Sequence, residues 1–525
     1  MPLFSIPSRG DKFQDKVIAS KARTTKKAPA TVKGGGVLSK IEQIQATVDA
    51  VLGKFKDDYI VITDRDTLSA YMTNCFQNGV ISIDTETTGL DPISDKIVGL
   101  CLYTPNNPAA YVPINHVSYV TGNRVENQLT EEDVAFELRG IEQCQNDMKN
   151  GFSTYPIKVI MFNAKFDIRV IRNQLGVKIN CDWDCYIASR LMNENEPHKG
   201  LKALHQKYVL ENQEDEFKFD ALFKGITFDK VPISSAYLYA AHDALITYEL
   251  YEFQKQFLYY DPTATPDSRN GMNGVSWVFF NIEMPCIKVV CDMEDNGVKF
   301  DFEYQQKLSE KYNKLLEEKT QEFYKCCSMY DTEIEEYKKK NINHKLDTPI
   351  NIGSPTQIAI LLYDILNIEP PDLKSPRGTG EAILQKIDNP IAKAILDYRE
   401  MSKLVSTYID KLPNCVNPKD GRIHCSFNQY GADTGRFSSS DPNLQNIPSH
   451  NKDIRKMFVA TNEEKLVSTD TQQFVVDRWC EVECADEWKY ADKIVVGDEL
   501  LLDDGSCVNV CEVNVNKDTV VIDFT

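Results

Sequence analysis

Over residues 51–260, short apolar runs alternate with stretches whose apolar positions recur every three to four residues. The runs in "DDYIVITD", "GVISIDTE" and "KVIMF" are rich in Val and Ile, which favours strands, whereas the stretches between them have helical spacing. Strands that alternate with helices predict an α/β domain. The preceding stretch "VLSKIEQIQATVDAVLGKF" predicts a leading helix.

The pattern changes on both sides of this α/β domain. Residues 1–50 are predicted to be a basic disordered tail, rich in Lys, Ser, Thr and Gly, followed by the leading helix. The Pro, Gly and Asn of residues 261–274 predict a linker, and the amphipathic stretches of 275–415 predict helices. Residues 468–525 alternate β-branched with polar residues between "GD" and "DDG" turns, which predicts a short all-β tail.

The composition indicates the size class and cellular compartment of the protein more than its function. A length of 525 residues suggests three or four domains, and 42% hydrophobic residues suffice for substantial cores. The N-terminus lacks the apolar stretch of a signal peptide, and no apolar run reaches the roughly 18 residues of a membrane span. We therefore expect a cytoplasmic protein with no membrane partner. Most of the 15 cysteines lie in apolar patterns, as free thiols in a reducing compartment do.

Acidic residues give the chain a net charge of −19, which argues against nucleic-acid binding over the whole surface. Metal-binding carboxylates are themselves acidic, so the net charge does not exclude an enzyme that binds DNA in a local basic groove. Two acids close the apolar strand in "GVISIDTETTGLDP" (79–92). Asp84 and Glu86 are two residues apart and therefore point to one face of a strand. Such a pair is costly to bury unless a cation lies between the carboxylates.

Two further segments supply acids. "KVIMFNAKFDIRVI" (158–171) predicts a second apolar strand that leads to Asp167. "YLYAAHDALITYELY" (237–251) predicts a helix with Tyr239 and Asp243 one turn apart on one face. Four acids on two strand ends and a helix suit a phosphodiesterase with two divalent ions, and hard oxygen ligands favour Mg²⁺ or Mn²⁺. Tyr239 is a candidate for orienting the attacking water.

The motifs "DTE", "NAKFD" and "YAAHD" resemble those of the DEDDy 3′–5′ proofreading exonucleases within family A (polymerase I-like) DNA polymerases. "AAYVPINH" and "LKALHQKYV" resemble connecting segments of that family. The resemblance implies a ribonuclease H-like α/β domain that acts on a single-stranded 3′ end of DNA in a bacterial or phage-infected cell. His242 is outside the family's ligand set, and we interpret it as packing or solvent-facing. The implied ligands of two Mg²⁺ or Mn²⁺ ions are Asp84, Glu86, Asp167 and Asp243.

A second segment, "GRIHCSFNQYGADTGRFSSSDPNLQNIP" (421–448), carries amides, hydroxyls and an arginine. Such groups suit hydrogen bonds to phosphates, sugars and minor-groove acceptors, although a polar loop has the same composition. "TGRFSSSDPNLQNIP" resembles the family A motif that opens the palm and holds the primer–template duplex. The resemblance implies duplex contacts from Arg436, Asn443 and Gln445.

Segments upstream resemble the thumb of the same family, namely "EMPCIKVVCDMEDNGVKFD", "SPTQIAILLYDIL" and "REMSKLVSTYIDKLP". Residues 275–415 would then form the connecting and thumb region, and 416–467 the start of an incomplete palm. Lys403, Ser406 and Thr407 are candidate phosphate contacts. For each of the three, a solvated helix face is a comparable interpretation.

Family A synthesis of DNA needs further motifs: a D-Y-S-Q-x-E strand, a fingers helix with spaced Arg and Lys, and a later H-D-E turn. The sequence has "EEKLVSTDTQQFVVDRW" where the first belongs and contains neither of the others. Asp470 stands where the first palm acid belongs, but one carboxylate cannot hold two metal ions. We therefore expect no DNA synthesis by this chain alone.

The tail 468–525 resembles the start of an intein (Hint) domain through "VGDELL" and the following "DG". Ser468 fits the first position of such a domain, with Asp470 close behind it. Ser468 would then attack the carbonyl of Val467 in an N–O acyl shift. The histidine motifs of inteins are absent from the tail. The resemblance therefore implies a second polypeptide that supplies the C-terminal intein, the fingers and the remaining palm, joined by trans-splicing.

Two other interpretations of the tail stay open. Four cysteines with x3 spacing could hold a structural zinc ion, although x2 spacing is more usual. Alternatively, the tail is a palm remnant without chemistry. The four cysteines are Cys480, Cys484, Cys507 and Cys511.

A non-catalytic function is the alternative for the whole chain. The chain would then be a DNA-binding scaffold, or a truncated polymerase subunit without splicing, that positions a partner polymerase. An inactive exonuclease-like fold is the corresponding alternative for the α/β domain. The complete set of acids favours the enzyme.

Overall fold

A computed structural model describes residues 37–151, 157–197, 200–211, 225–260, 272–341, 346–431, 435–448, 451–460 and the tail strands given below. Residues 1–36, in the predicted tail, lie outside this part of the chain. The chain forms two compact units. The N-terminal unit extends to Gly297 and also includes 417–420 and 424–446, whereas the C-terminal unit contains the remaining residues.

One sheet forms the centre of the N-terminal unit. Its strands are β1 (Tyr59–Val61), β2 (Val80–Thr87), β3 (Ile97–Tyr103), β4 (Ala109–Pro113), β5 (Lys158–Met161) and β6 (Trp183–Asp184). The strand order is β1-β4-β3-β2-β5-β6. β3 pairs antiparallel with β2 and β4, whereas β5 runs parallel to β2. The C-terminal ends of β2 and β5 therefore lie at the same edge of the sheet.

Helices cover both faces of this sheet. They are α1 (Val37–Leu52), α2 (Arg65–Asn78), α3 (Glu131–Lys149), α4 (Ala164–Val170), α5 (Cys185–Met192), α6 (Leu201–Tyr208) and α7 (Ile233–Gln254). β3 is buried along nearly its whole length, as a strand covered on both faces must be. Leu100 belongs to the core beneath α2 and α3, and Cys101 to the core beneath α7.

Alanines bring α7 close to the sheet. Ala236, Ala240 and Ala244 recur every four residues, so they share one face of the helix, and all three are buried in the core that includes Cys101 and Tyr111. Because a methyl group is the whole side chain, the helix backbone can approach the strands. α7 therefore presents its polar residues directly to the sheet.

The chain turns into a helix soon after β5, contrary to the prediction of a strand that leads to Asp167. β5 ends at Met161, and Asp167 lies on α4. The Asp184 carboxylate at the end of β6 accepts hydrogen bonds from the backbone N–H groups of Asn163 (3.0 Å) and Ala164 (2.8 Å). These donors at the start of a helix have no partner within it, so Asp184 stabilises the start of α4.

A second helical stretch packs on the N-terminal unit. It consists of α8 (Met272–Val278), a π-helical turn (Phe279–Glu283) and α9 (Met284–Asn296), whereas residues 261–271 of the predicted linker lie outside the described chain. By length and composition, residues 274–296 could cross a membrane, but one such helix is weak evidence. Phe279 and Ile287 are buried in the main core of the unit. The stretch thus serves as a packed helix.

The C-terminal unit is mostly helical, in line with the amphipathic pattern of its sequence. Its helices are α10 (Phe302–Cys327), α11 (Asp331–Lys340), α12 (Pro355–Ala359), α13 (Glu381–Leu384), α14 (Pro390–Lys403) and α15 (Lys452–Arg455). Phe323 on α10 and Ile391 and Ile395 on α14 are fully buried in one apolar core. This core holds the helical region together.

Six short strands are interspersed with these helices. They are β7 (Val298–Phe300), β8 (Val416–Asn417), β9 (Arg422–Ile423), β10 (Ser426–Asn428), β11 (Ser438–Ser440) and β12 (Phe458–Val459). β7 pairs antiparallel with β9 and β12 in the C-terminal unit. β10 and β11 form an antiparallel pair that belongs to the N-terminal unit.

The backbone of the tail is described as strands. They are β13 (Gln473–Asp477), β14 (Glu481–Glu483), β15 (Trp488–Tyr490), β16 (Glu499–Leu501), β17 (Cys507–Val515) and β18 (Thr519–Phe524). Four of them form a sheet in the order β13-β18-β17-β16, and β14 pairs with β15. Ser468, Asp470, Cys480 and Cys484 lie outside the described residues.

Candidate active site

Asp84 and Glu86 project from the same face of β2. Both are half-buried, whereas Thr85 between them is buried. Asp84 stands opposite Cys101 in the antiparallel pairing of β2 with β3. A carboxylate oxygen of Asp84, one of Glu86 and the sulfur of Cys101 lie within 4.8 Å of one another. Three potential metal ligands therefore converge at this point.

Asp167 reaches the same place from α4. Its Oδ1 accepts two hydrogen bonds from Thr85, one from the backbone N–H at 2.9 Å and one from the hydroxyl at 2.6 Å. Asp167 is buried, and its negative charge acts on Asp84. The structure thus joins the acid of α4 to the two acids of β2.

α7 brings Tyr239 and Asp243, which are one turn apart on the same face. A lysine on α6 contacts both: Lys202 Nζ lies 3.1 Å from Asp243 Oδ2 and 4.0 Å from the centroid of the Tyr239 ring. The other oxygen of Asp243, Oδ1, is buried and has no hydrogen-bond partner among the described residues. All five residues that the sequence predicted for this site are therefore together.

Burial and crowded negative charge make the carboxyl groups of this site hard to ionise. Burial, followed by the charges of Asp167, Asp243 and Glu86, holds the pKa of Asp84 well above its ordinary value. Burial and the charge of Asp243 raise the pKa of Glu86 to about 8, although Lys202 opposes the shift. Burial also raises the pKa of Asp167 to about 7, against the hydrogen bonds from Thr85. A cation at this site would favour the ionised carboxylates.

The two remaining polar groups of the site stay protonated. Burial, and then the charge of Asp243, raise the pKa of Tyr239 above its ordinary value, so its hydroxyl keeps its proton. Burial lowers the pKa of Lys202, but Asp243 and Tyr239 outweigh that effect and raise it above its ordinary value. The lysine is therefore a permanent positive charge next to Asp243.

The residues present fit a divalent metal centre. Hard carboxylate oxygens converge, and the buried Asp243 Oδ1 is an acceptor without a donor among the described residues. An acceptor left in this way costs free energy unless a cation or water meets it. Asp84, Glu86, Asp167 and Asp243 would hold the ions, and Mg²⁺ or Mn²⁺ suits such oxygen ligands.

Gly99 and Tyr111 pack against each other next to the site. Gly99 stands opposite Glu86, and a Cβ at Gly99 would lie only 2.2–2.4 Å from the ring and hydroxyl of Tyr111. The Tyr111 hydroxyl is hydrogen-bonded to His116 Nε2 at 2.6 Å, and His116 Nδ1 to the backbone oxygen of Val231 at 2.9 Å. Tyr111 thus occupies the space that a side chain at position 99 would need.

Of the two interpretations of His242, packing or solvent-facing, the structure agrees with packing. His242 is buried, and its Nδ1 is hydrogen-bonded to the hydroxyl of Tyr59 at 2.9 Å. Three contributors to the site were not predicted: Thr85, Cys101 and Lys202. Strand pairing and the contact between α6 and α7 place them there, and neither is visible in the local sequence.

The candidate duplex contacts near β11 are on the surface of the N-terminal unit. Arg436, Asn443 and Gln445 are exposed. The side-chain oxygen of Asn443 accepts hydrogen bonds from the backbone N–H groups of Gln445 (3.1 Å) and Asn446 (3.3 Å), which fixes a tight turn. The polar groups of this turn therefore have a defined position.

The other candidate DNA contacts belong to the C-terminal unit. Lys403 is the last residue of α14, and Ser406 and Thr407 lie on the π-helical turn that follows, Leu404–Ile409. All three are exposed, and the Ser406 hydroxyl donates to the backbone oxygen of Ser402 at 2.6 Å. Both the phosphate contact and the solvated helix face remain predictions.

Two parts of the chain match known protein families. Residues 59–256 match the family described as 3′–5′ exonuclease, and residues 317–475 match DNA polymerase family A. The first match contains every residue of the candidate active site. The second extends beyond Val467 and includes Ser468 and Asp470.

Several bacterial proteins are similar over most of this chain. DNA polymerase I of Pseudomonas aeruginosa is 33% identical over 436 residues, which are 79% of this chain and 42% of that protein. DNA polymerase I of Chloroflexus aurantiacus is 31% identical over 429 residues, 79% of this chain and 40% of that protein. The chain thus spans less than half the length of these relatives.

A solved structure has a similar fold. It is the POL domain of Pol1 from M. smegmatis in complex with a DNA primer-template and dNTP. The likeness has a TM-score of 0.55 at 19% sequence identity and covers 80% of this chain and 60% of that chain. This likeness concerns the fold alone.

Proposed function

We propose that this chain, which carries the 3′–5′ exonuclease and polymerase segments of DNA polymerase family A, removes nucleotides from the 3′ ends of DNA with the help of divalent metal ions. The observation that carries the proposal is the convergence of four acids, Asp84, Glu86, Asp167 and Asp243. The buried Oδ1 of Asp243 has no donor among the described residues. The DEDDy type is proposed because Tyr239 accompanies the four acids. Mg²⁺ and Mn²⁺ are the proposed ions.

The reaction is the hydrolysis of the last phosphodiester bond of a strand. A water oxygen bonds to phosphorus, the bond from phosphorus to the 3′ oxygen breaks, and that oxygen takes up a proton. The products are a nucleoside 5′-monophosphate and a strand shortened by one residue. Two bound divalent ions would activate the water and stabilise the departing oxygen.

The residues of the chain prepare this reaction. The four carboxylates place oxygen ligands for cations at one point, so they define where ions and the phosphate of the substrate would meet. The Tyr239 hydroxyl keeps its proton and can hydrogen-bond a water beside Asp243. Lys202 lies over the Tyr239 ring and thereby restrains its orientation. Thr85 holds Asp167 in place through two hydrogen bonds.

A single-stranded oligonucleotide labelled internally would test the exonuclease. We expect stepwise shortening from the 3′ end with Mg²⁺ or Mn²⁺ and none in EDTA. Asp84→Ala combined with Glu86→Ala should abolish the shortening. Asp66→Ala removes an exposed acid of α2 and should leave it unchanged. Shortening that survives the double substitution would refute the assignment of this site.

The polymerase segment is proposed to bind primer–template DNA. The exposed side chains Arg436, Asn443 and Gln445 would contact the duplex, and Lys403, Ser406 and Thr407 its phosphates. Alanine at Arg436 should weaken the binding of a labelled hairpin duplex, with a smaller dependence on salt concentration because one positive charge beside the DNA is lost. Unchanged affinity would remove Arg436 from the interface.

We also propose that the tail is the N-terminal fragment of an intein and that synthesis of DNA requires a second polypeptide. The intein-like sequence that begins at Ser468 supports this, and so do the antiparallel strands of the tail. Ser468 Oγ would bond to the carbonyl carbon of Val467, the peptide C–N bond would break, and the hydroxyl proton would pass to the nitrogen of Ser468, which is released as an amine. Coexpression with a chain that carries fingers and a C-terminal intein should yield a ligated product by mass spectrometry. Ligation unaffected by Ser468→Ala would contradict the proposal.

A further inference from the structure

Lys165 and Glu294 form an ion pair beside the candidate metal site. Lys165 lies on α4 two residues before Asp167, and Glu294 lies on α9. Lys165 Nζ is 2.6 Å from Glu294 Oε1, and the Glu294 side chain is 0% exposed. Arg169, two residues after Asp167, pairs with the other oxygen of Glu294. One carboxylate therefore holds α4 on both sides of Asp167.

The ion pairs with Glu294 and the hydrogen bonds from Thr85 lie on different faces of α4. Lys165 and Arg169 are four residues apart and share one face of α4, whereas Asp167 projects from another face, toward Thr85 on β2. α4 is thus bonded to α9 on one face and to β2 on another. A shift of α4 away from α9 would move Asp167 relative to Asp84.

The same ion pair is bonded to the segment 424–446. The backbone N–H of Phe427 donates to Glu294 Oε1 at 2.6 Å. Lys165 Nζ donates to the backbone oxygen of Phe427 at 2.6 Å and to the hydroxyl of Ser426 at 3.1 Å. Both residues belong to β10, whose partner β11 precedes the turn of Asn443. The segment with the candidate duplex contacts is thereby attached to the helix that carries Asp167.

Glu294 has no role in the reaction proposed above, yet its carboxylate is fully buried and has three charged or polar partners from two elements. We propose that Glu294 is a positioning residue of the exonuclease, which fixes α4 so that Asp167 and Asp84 meet the metal ions together. Through Phe427 it also makes this geometry depend on the segment 424–446. The inference rests on the proposed exonuclease function.

Electron paramagnetic resonance of free Mn²⁺ measures how tightly the full chain binds Mn²⁺. This measurement tests the inference without relying on activity. Glu294→Gln keeps the shape of the side chain and removes its charge. Because loss of a group that orients a metal ligand costs about 10–100-fold in affinity, we expect a Kd for Mn²⁺ at least about tenfold higher. The Mn²⁺ concentration for half-maximal exonuclease rate should rise equally, whereas KM for a single-stranded oligonucleotide should stay unchanged.

Two further variants keep the test decisive. Lys165→Met retains the apolar stem of the lysine and leaves Glu294 paired with Arg169, so it applies where Glu294→Gln does not fold. Lys165→Met should also raise the Kd for Mn²⁺. Asp292→Asn is the matched control, since it removes a carboxylate of α9 that pairs with Lys288 and with Arg172, which lies beyond the end of α4. It should bind Mn²⁺ as the wild-type protein does.

The outcomes separate the two proposals. If the wild-type protein binds Mn²⁺ and shortens DNA, and folded Glu294→Gln and Lys165→Met match it, the positioning role is overturned while the exonuclease stands. If the wild-type protein neither binds Mn²⁺ nor shortens DNA, the exonuclease proposal fails and the positioning role fails with it. A merely structural role for Glu294 predicts a lower Tm with unchanged Mn²⁺ affinity, which would also overturn the inference.

Discussion

Thr85 donates two hydrogen bonds to a single carboxylate oxygen of Asp167, from its backbone N–H and from its hydroxyl. It lies between Asp84 and Glu86 on β2, in the position that the D-x-E pattern leaves unspecified. Side chains alternate along the strand, so the Thr85 side chain points away from those of Asp84 and Glu86, and the same strand carries two acids of the site and fixes a third.

Thr85→Val removes the hydroxyl and keeps the backbone bond and the shape of the side chain. Since hydrogen bonds from Thr85 lower the pKa of Asp167, that pKa should rise further above about 7. A hydrogen bond to a charged group contributes about 1.5–3 kcal/mol, so the acid limb of the rate–pH profile should move up by about one to two units. Thr87→Val, whose hydroxyl donates to the backbone oxygen of Gly89, should leave the profile in place.

The metal-free protein should lose stability as the pH rises through 7 and 8. Glu86 has a pKa of about 8 and Asp167 one of about 7 in the folded protein, against ordinary values of 4.5 and 3.8. The folded state therefore holds protons that the unfolded chain has released. Its stability contribution is complete below the ordinary values and declines toward pH 8. Urea midpoints in EDTA would measure this slope.

Saturating Mn²⁺ should flatten that slope, because ions replace the protons on the carboxylates. Asp84→Asn combined with Glu86→Gln should reduce the slope without metal and leave the part that comes from Asp167. Stability that rises with pH over this range would contradict the raised pKa values.

Lys202→Met should destabilise the metal-free protein more than the metal-bound protein. Lys202 balances the charge of Asp243, and both side chains are mostly buried. We expect a loss of about 1–3 kcal/mol in EDTA, between the values for exposed and for fully buried pairs. Mn²⁺ should restore most of it by replacing the missing charge. Lys207→Met, a substitution on the same helix as Lys202, breaks the pair of Lys207 with Glu196 and should show a loss that Mn²⁺ does not restore.

Gly99→Ala should destabilise the N-terminal unit. The added Cβ would overlap the buried Tyr111 ring, and overpacking of this kind costs about 1–3 kcal/mol. Tyr111→Leu should recover part of the loss in the double variant, because it vacates the space over Gly99. Thermal unfolding of the four combinations gives the coupling between the two positions. Additive effects would show that they do not share this space.

Local sequence was sufficient for some of these elements and not for others. The acids of β2 and the pair on α7 follow from periods of two and about four residues, which are visible in any short window. The helix at Asp167 was missed because its start depends on Asp184, 20 residues further along the chain from Ala164. An apolar run that follows a strand then appears to continue that strand.

Long-range partners lie beyond such patterns altogether. Lys202 meets Asp243 across 41 residues, and Lys165 meets Glu294 across 129. In the sequence, each of these lysines is one of many on amphipathic helices. The intein assignment of the tail and the role of Ser468 stay predictions.

The alanines of α7 have a consequence for the choice of metal. Ala236, Ala240 and Ala244 set the distance of the helix from the sheet, and Tyr239 and Asp243 move with that helix. A larger side chain at any of the three would widen the gap between Asp243 and Asp84. The ionic radius that the site prefers would then be decided by methyl groups that touch no ion, and larger cations would gain where Mg²⁺ loses.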